Sequence, residues 1–242
     1  IDQAIRNASS GDAPALHYLK ADIFQAEKNY PAAESELTAA IESDSNYLPA
    51  YSAYAGLLVG QNQIDRAIEQ YRKIIEKRPS APIYTLLGIL EDSRGNYEKS
   101  EKHYRKALDI SPDSAIAANN LAWNIASGGR GNLDEALRLA QINISKNLND
   151  ASFHDTLGWV YFKKGLNAQA VEQMKKAVAA DMSDAARSGK PENPGYRLRL
   201  GQTLAAAGDK SGAKREVQVA LQNQKDLSER EVQDARTLLS SL

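Results

Sequence analysis

The chain has 242 residues, 42% of them hydrophobic and 25% charged, which is ordinary usage for a folded globular chain and excludes a disordered polar one. A formal net charge of -1 leaves no basic footprint for nucleic acid or an anionic membrane. The absence of cysteine excludes disulfides, thiolate nucleophiles and zinc–thiolate centres, and no apolar run approaches the roughly 18 residues of a membrane span.

Residues 1–13 read as the second helix of a preceding unit, and the chain opens on Ile1 rather than Met. The expectation is a fragment or processed form of a longer protein with more repeats ahead of it. From residue 14 a unit of about 34 residues recurs, over 14–47, 48–80, 81–114, 115–150, 151–184 and 194–227. Small residues opening the second half of each unit fall at Ala33, Ala67, Ser100, Ala136, Ala170 and Ala213, with successive gaps of 34, 33, 36, 34 and 43. A Leu-Gly pair recurs as Leu87-Gly88, Leu157-Gly158 and Leu200-Gly201, with Leu121-Ala122 as a variant, and turn glycines follow at Gly95, Gly165 and Gly208. Pro79 and Pro112, 33 residues apart, close two of the units.

Two antiparallel helices account for this pattern. The Leu packs between them, and the small residue beside it lets the partner helix approach. The turn Gly supplies the positive φ that stops the first helix. The small residue of the second helix sits where the backbones cross. The residue four later (Leu37, Tyr71, Tyr104 or Met174) fills the seam between units.

Three departures stand out. The first unit has Lys20-Ala21 where Leu-Gly belongs. The fourth carries Gly128-Gly129-Arg130-Gly131 between its helices, a glycine-rich turn with no strand before it to make a phosphate cradle. The gap of 43 predicts an insertion loop over 183–193, polar and bearing Gly189 and Pro191, as a surface insertion or a flap over the groove mouth. Residues 228–242 read as a capping helix opened by the capping box Ser228-Glu229-Arg230-Glu231, with Val232, Ala235, Leu238 and Leu239 on its apolar face.

These residues resemble the tetratricopeptide-repeat family over nearly the whole chain. The resemblance implies an all-α fold: a right-handed superhelical α-solenoid of antiparallel helix pairs, without strands, closed by a C-terminal cap. It also implies that the first helix of each unit lines a concave groove that binds a protein or peptide. Two residues before the Leu, and one after the small residue, then face inward. In the fourth unit these are Asn119 and Trp123. In the fifth they are Asp155 and Trp159, with Phe162 and Lys163 a turn further. In the third they are Thr85 and Ile89. Both tryptophans of the chain thus occupy matching inward positions, as a binding hot spot requires; the alternative is that each packs as core within its own unit. Asn119 and Asp155 offer hydrogen bonds and Lys163 a charge. The Lys and Asn clamp of chaperone adaptors is absent, since the matching positions hold Tyr18, Asp22, Ser52 and Gly56.

No chemistry competes with this reading. His17, His103 and His154 fall in different units without a shared short spacing, and no phosphate-binding, zinc-protease or nucleophile-elbow motif occurs. The expectation is a non-catalytic interaction scaffold with no catalytic residue, metal or cofactor, no nucleic-acid partner and no membrane span, able to self-associate. The run Asn119-Asn120-Leu121-Ala122-Trp123, the run 157–165 and the closing Ala235-Arg236-Thr237-Leu238-Leu239 also resemble bacterial tetratricopeptide lipoproteins of exopolysaccharide export and exosortase (PEP-CTERM) systems. That implies a periplasmic or membrane-anchored location in a secretion assembly, the alternatives being a cytoplasmic array or the accessory region of a larger enzyme.

Overall fold

The structure, a computed structural model, describes residues 1–9, 11–128, 131–146 and 149–242. Every regular element among them is helical. The chain divides into two compact units, Ile1–Ala117 and Ala118–Leu242.

The first unit opens with the short α1 (Asp2–Arg6) and holds three helix pairs: α2 (Ala13–Ala26) with α3 (Tyr30–Ser43), α4 (Leu48–Gly60) with α5 (Ile64–Lys77), and α6 (Ala81–Ser93) with α7 (Tyr97–Ile110). Proline stands in the first turn of α2, α3, α4 and α6, where its missing N–H has no helical partner to lose. Pro79 and Pro112 follow the ends of α5 and α7, as the spacing predicts. The core runs through the seam positions: Leu37, Tyr71 and Tyr104 are fully buried, as are Ala33, Ala67 and Ser100 at the crossings. Burying a tyrosine demands a partner for its hydroxyl. Tyr71 donates to the Tyr51 carbonyl at 2.6 Å, and Tyr51 donates to that of Ser45 at 2.8 Å.

The second unit contains α8 (Ala115–Gly128, whose first three residues belong to the first unit), α9 (Leu133–Lys146), α10 (Ala151–Lys163), α11 (Asn167–Ser188), α12 (Pro194–Ala206), α13 (Lys210–Gln222) and α14 (Glu229–Ser241). Gly129 and Arg130 of the glycine-rich turn lie outside the described residues. The Leu-Gly pairs do what their chemistry demands. A Cβ on Gly158 would meet Met174 at 3.1 Å, and one on Gly201 would meet Val217 at 2.4 Å. Gly88 stands in the same relation to Tyr104, again sixteen residues on, at 2.4 Å. The cap behaves as its sequence requires. The Glu231 N–H donates to Ser228 Oγ at 3.3 Å, and the Ser228 N–H donates to Glu231 Oε2 at 2.9 Å. Ala235 is fully buried with Leu198, Val217 and Ala220, while Leu227, Leu238 and Leu239 close over them.

One boundary differs from the sequence reading. The insertion is a loop only over 189–193; residues 183–188 are helical, and α11 runs for 22 residues. Its stop is Gly189, in the left-handed region at φ 70°, with Pro191 beyond it. An ion pair between Asp184 and Arg187, 2.6 Å apart, decorates the extra turns.

A candidate protein-binding platform

The site is built by the first helices of the second unit. Leu121, Leu157 and Leu200 point into the core. At about 100° per residue, the side chain two positions later is turned well away from the leucine. Those side chains are Trp123, Trp159 and Gln202, and the Trp159 indole also packs against the buried cluster of Met174, Val178, Leu200, Leu204 and Ala213.

The structure brings the two indoles into contact. Trp123 and Trp159 stack with ring centroids 5.9 Å apart and planes 26° from parallel, and both are half-buried. Phe162 extends the surface, its ring 5.1 Å from that of Trp159, and the exposed Lys163 sets its Nζ 4.8 Å from the Trp159 ring. The result is one continuous aromatic platform with a cation on it, rather than two anchors a repeat apart.

Asp155 is placed differently from the role suggested by its position. It is buried, and its Oδ1 accepts from Arg199 Nε at 2.7 Å. Burial pushes its carboxyl above the usual carboxylate range, with the Arg199 charge acting in the opposite direction. Its hydrogen-bonding capacity is therefore engaged within the fold. Arg199 also lies 5.1 Å from the Trp123 ring and 5.5 Å from that of Tyr196, and its Nη1 is 3.8 Å from Glu231 Oε1. One guanidinium thus ties α8, α10, α12 and α14 together. Sequence reasoning gave Arg199 no such part, because its carboxylate is 44 residues away and carried by another repeat. The available signal was an acid and a base on successive inward faces.

Asn119 is buried, and its Oδ1 has no hydrogen-bond partner among the described residues; the same holds for Trp159 Nε1 and Gln202 Oε1. A buried polar atom without a partner costs about 1–3 kcal/mol. All three lie at the inward register positions.

Thr85 and Ile89 belong to the first unit. Thr85 is buried and donates to the Ala81 carbonyl of its own helix at 2.9 Å, while Ile89 is exposed.

The histidines are tied into the fold. His17 meets Glu36 at 2.7 Å, His154 meets Gln173 at 2.8 Å, and His103 packs on the ring of Tyr84. Each pair is 19 residues apart, as are Arg197 and Glu216 at 2.9 Å, so a side-chain latch recurs between paired helices. No group of three or more potential metal ligands occurs among the described residues. The lengthened α11 also walls a polar cleft of about 1070 Å³ with Asp150, His154, Gln173, Asp181 and Tyr196, several of whose polar groups are already paired within the fold.

Comparison with known proteins agrees with this architecture. Sequence models of the tetratricopeptide repeat match residues 24–90, 81–114 and 156–226, about two thirds of the chain between them. The chain belongs to the tetratricopeptide-repeat family. Such repeats serve in general as protein-interaction scaffolds. The fold is shared with PilW, described as a widely conserved type IV pilus biogenesis factor (TM-score 0.65, 20% identity, 91% of this chain and 97% of that one). It is shared equally with PilF of Pseudomonas aeruginosa (TM-score 0.65, 16% identity, 94% and 98%). A further likeness is to YrrB, described as a tetratricopeptide-repeat protein with an unusual peptide-binding site (TM-score 0.51, 18% identity, 72% and 91%). Among curated relatives, the probable biofilm formation methyltransferase WspC of Pseudomonas putida is 37% identical over 73 residues, 30% of this chain and 17% of that protein. The protein O-mannosyl-transferase TMTC1 of Homo sapiens is 33% identical over 63 residues, 26% and 7%. The chain thus spans less than a fifth of either relative. No helix among the described residues is long and apolar enough to cross a membrane.

Proposed function

We propose that the second unit binds a segment of a partner protein on the Trp123–Trp159–Phe162 platform, without catalysis. The observation that carries this reading is the stacked, half-buried indole pair, edged by the exposed Lys163. Large rigid aromatics bury much area at small entropic cost, and hot spots concentrate on them.

The test is Trp123→Ala and Trp159→Ala, each assayed for melting and for partner recovery from lysate. A hot-spot aromatic is worth about 2 kcal/mol or more, roughly thirtyfold in affinity. Lost partner with near-unchanged melting supports the platform. A drop in stability of about 3–5 kcal/mol, or a retained partner, shows that the indoles are core and sinks the reading.

For the wider setting we propose a scaffold in a bacterial envelope assembly, periplasmic or membrane-anchored. Support comes from the fold likeness to PilW and from the sequence resemblance to lipoproteins of exopolysaccharide export. Cell fractionation tests the location. A second reading has its own support: both curated relatives are named as enzymes and match over a small part of their length. In that reading the repeats are the accessory region of a larger catalytic protein, and the coding sequence around this region decides between the two.

A further inference from the structure

The platform carries opposite charges at its two edges. Lys163 of α10 lies beside Trp159, and Glu231 of α14 lies beside Arg199, whose guanidinium sits near Trp123. At the Lys163 end, the ammonium forms no ion pair among the described residues; it lies on the Trp159 ring and is exposed to solvent. At the other end, one guanidinium faces two carboxylates. Arg199 is held close by Asp155 at 2.7 Å and only loosely approached by Glu231 at 3.8 Å, whose side chain stays 38% exposed. The first end therefore presents an exposed ammonium and the second the partly exposed Glu231 carboxylate, with the stacked indoles between them.

We infer that the segment taken by this platform is an extended peptide with a carboxylate on one side of an aromatic or aliphatic residue and a basic side chain on the other. The inference rests on the platform reading above. Alternate side chains share one face of an extended chain, so all three can meet the platform together. The acid then meets Lys163, the central apolar side chain lies on Trp159 and Trp123, and the base meets Glu231. Either chain direction satisfies the pattern.

The experiment is an array of peptides in which Glu and Lys flank a Phe in both orders and at several spacings, beside versions with Glu, Lys or Gln at both ends, all flanked by degenerate residues. Binding is read on the array and, for selected peptides in solution, by the fluorescence of the protein's two tryptophans, both of which sit in the site. Each matched end should strengthen binding about fivefold over Gln. Lys163→Gln should remove the preference for the acidic end alone. Glu231→Gln keeps a residue that can complete the Ser228 capping box and should remove the preference for the basic end alone. Equal binding of all end charges, or a preference for two like ends, overturns the polarity and leaves the platform standing. Binding of no peptide, with tryptophan fluorescence unchanged, overturns both.

Discussion

At the scale of single residues, the repeat exposes its own exceptions. The turn between paired helices needs a positive φ, and Gly95, Gly165 and Gly208 supply it without strain. In the first two pairs the same turn is made by Lys28 at φ 59° and Asn62 at φ 56°. A left-handed conformation costs a residue with a Cβ about 1 kcal/mol, and less for asparagine. Lys28→Gly is therefore expected to raise stability by about 1 kcal/mol and Asn62→Gly by less, read from urea midpoints; a loss at Lys28 would contradict the strain argument. The reverse holds at Gly201, where the methyl of alanine would stand 2.4 Å from Val217. Gly201→Ala should cost about 1–3 kcal/mol by overpacking, and Gly158→Ala, with contacts no closer than 3.1 Å, should cost less. Equal losses at the two sites would show that Val217 moves aside freely.

At the scale of elements, α14 is the clearest test of how the stack ends. It covers Leu198, Val217 and Ala220 while presenting Gln233, Asp234, Arg236 and Thr237 outward. Truncation after Leu227 uncovers that apolar edge. We expect loss of the α12–α13 pair, seen as lower helicity or aggregation, because such stacks draw stability from nearest neighbours. An unchanged denaturation midpoint would show that α14 is not a cap. The α6–α7 pair carries a pH dependence. Burial lowers the pKa of His103, with the Glu91 carboxylate opposing. The unfolded chain then takes up the proton first as pH falls, at about 6.5, so this contribution to stability is present above that pH and fades as acid reaches the lower folded value. Stability should decline from pH 7 to below 6, and His103→Gln should flatten that slope; identical slopes would assign the decline to other groups.

At the scale of the whole molecule, a repeat array distributes its stability along the chain rather than in one core. Leu37→Ala, at a fully buried seam position, should cost about 2–5 kcal/mol locally. Hydrogen exchange should accelerate in α2 to α5 and stay unchanged in α12 to α14. A uniform loss of protection would mean that the chain unfolds as a single cooperative body.

The helix pairs, their seam residues and the cap were legible in the sequence because each depends on local spacing: a small residue, a bulky one four later, a turn glycine. The true end of α11 was legible in principle, since Gly189 and Pro191 are stop signals, but the polar run before them masked a helix that continues to Ser188. The inward register was also readable from the Leu-Gly pair, and it pointed to Trp123 and Trp159. Only the tertiary structure decided what those positions do. That the indoles stack into one surface, that Asp155 is consumed by Arg199, and that Glu231 serves a helix cap while approaching Arg199 all depend on contacts between successive repeats. The distance and angle at which one helix pair lies on the next is set by packing across the seam, and no spacing within a single repeat encodes it.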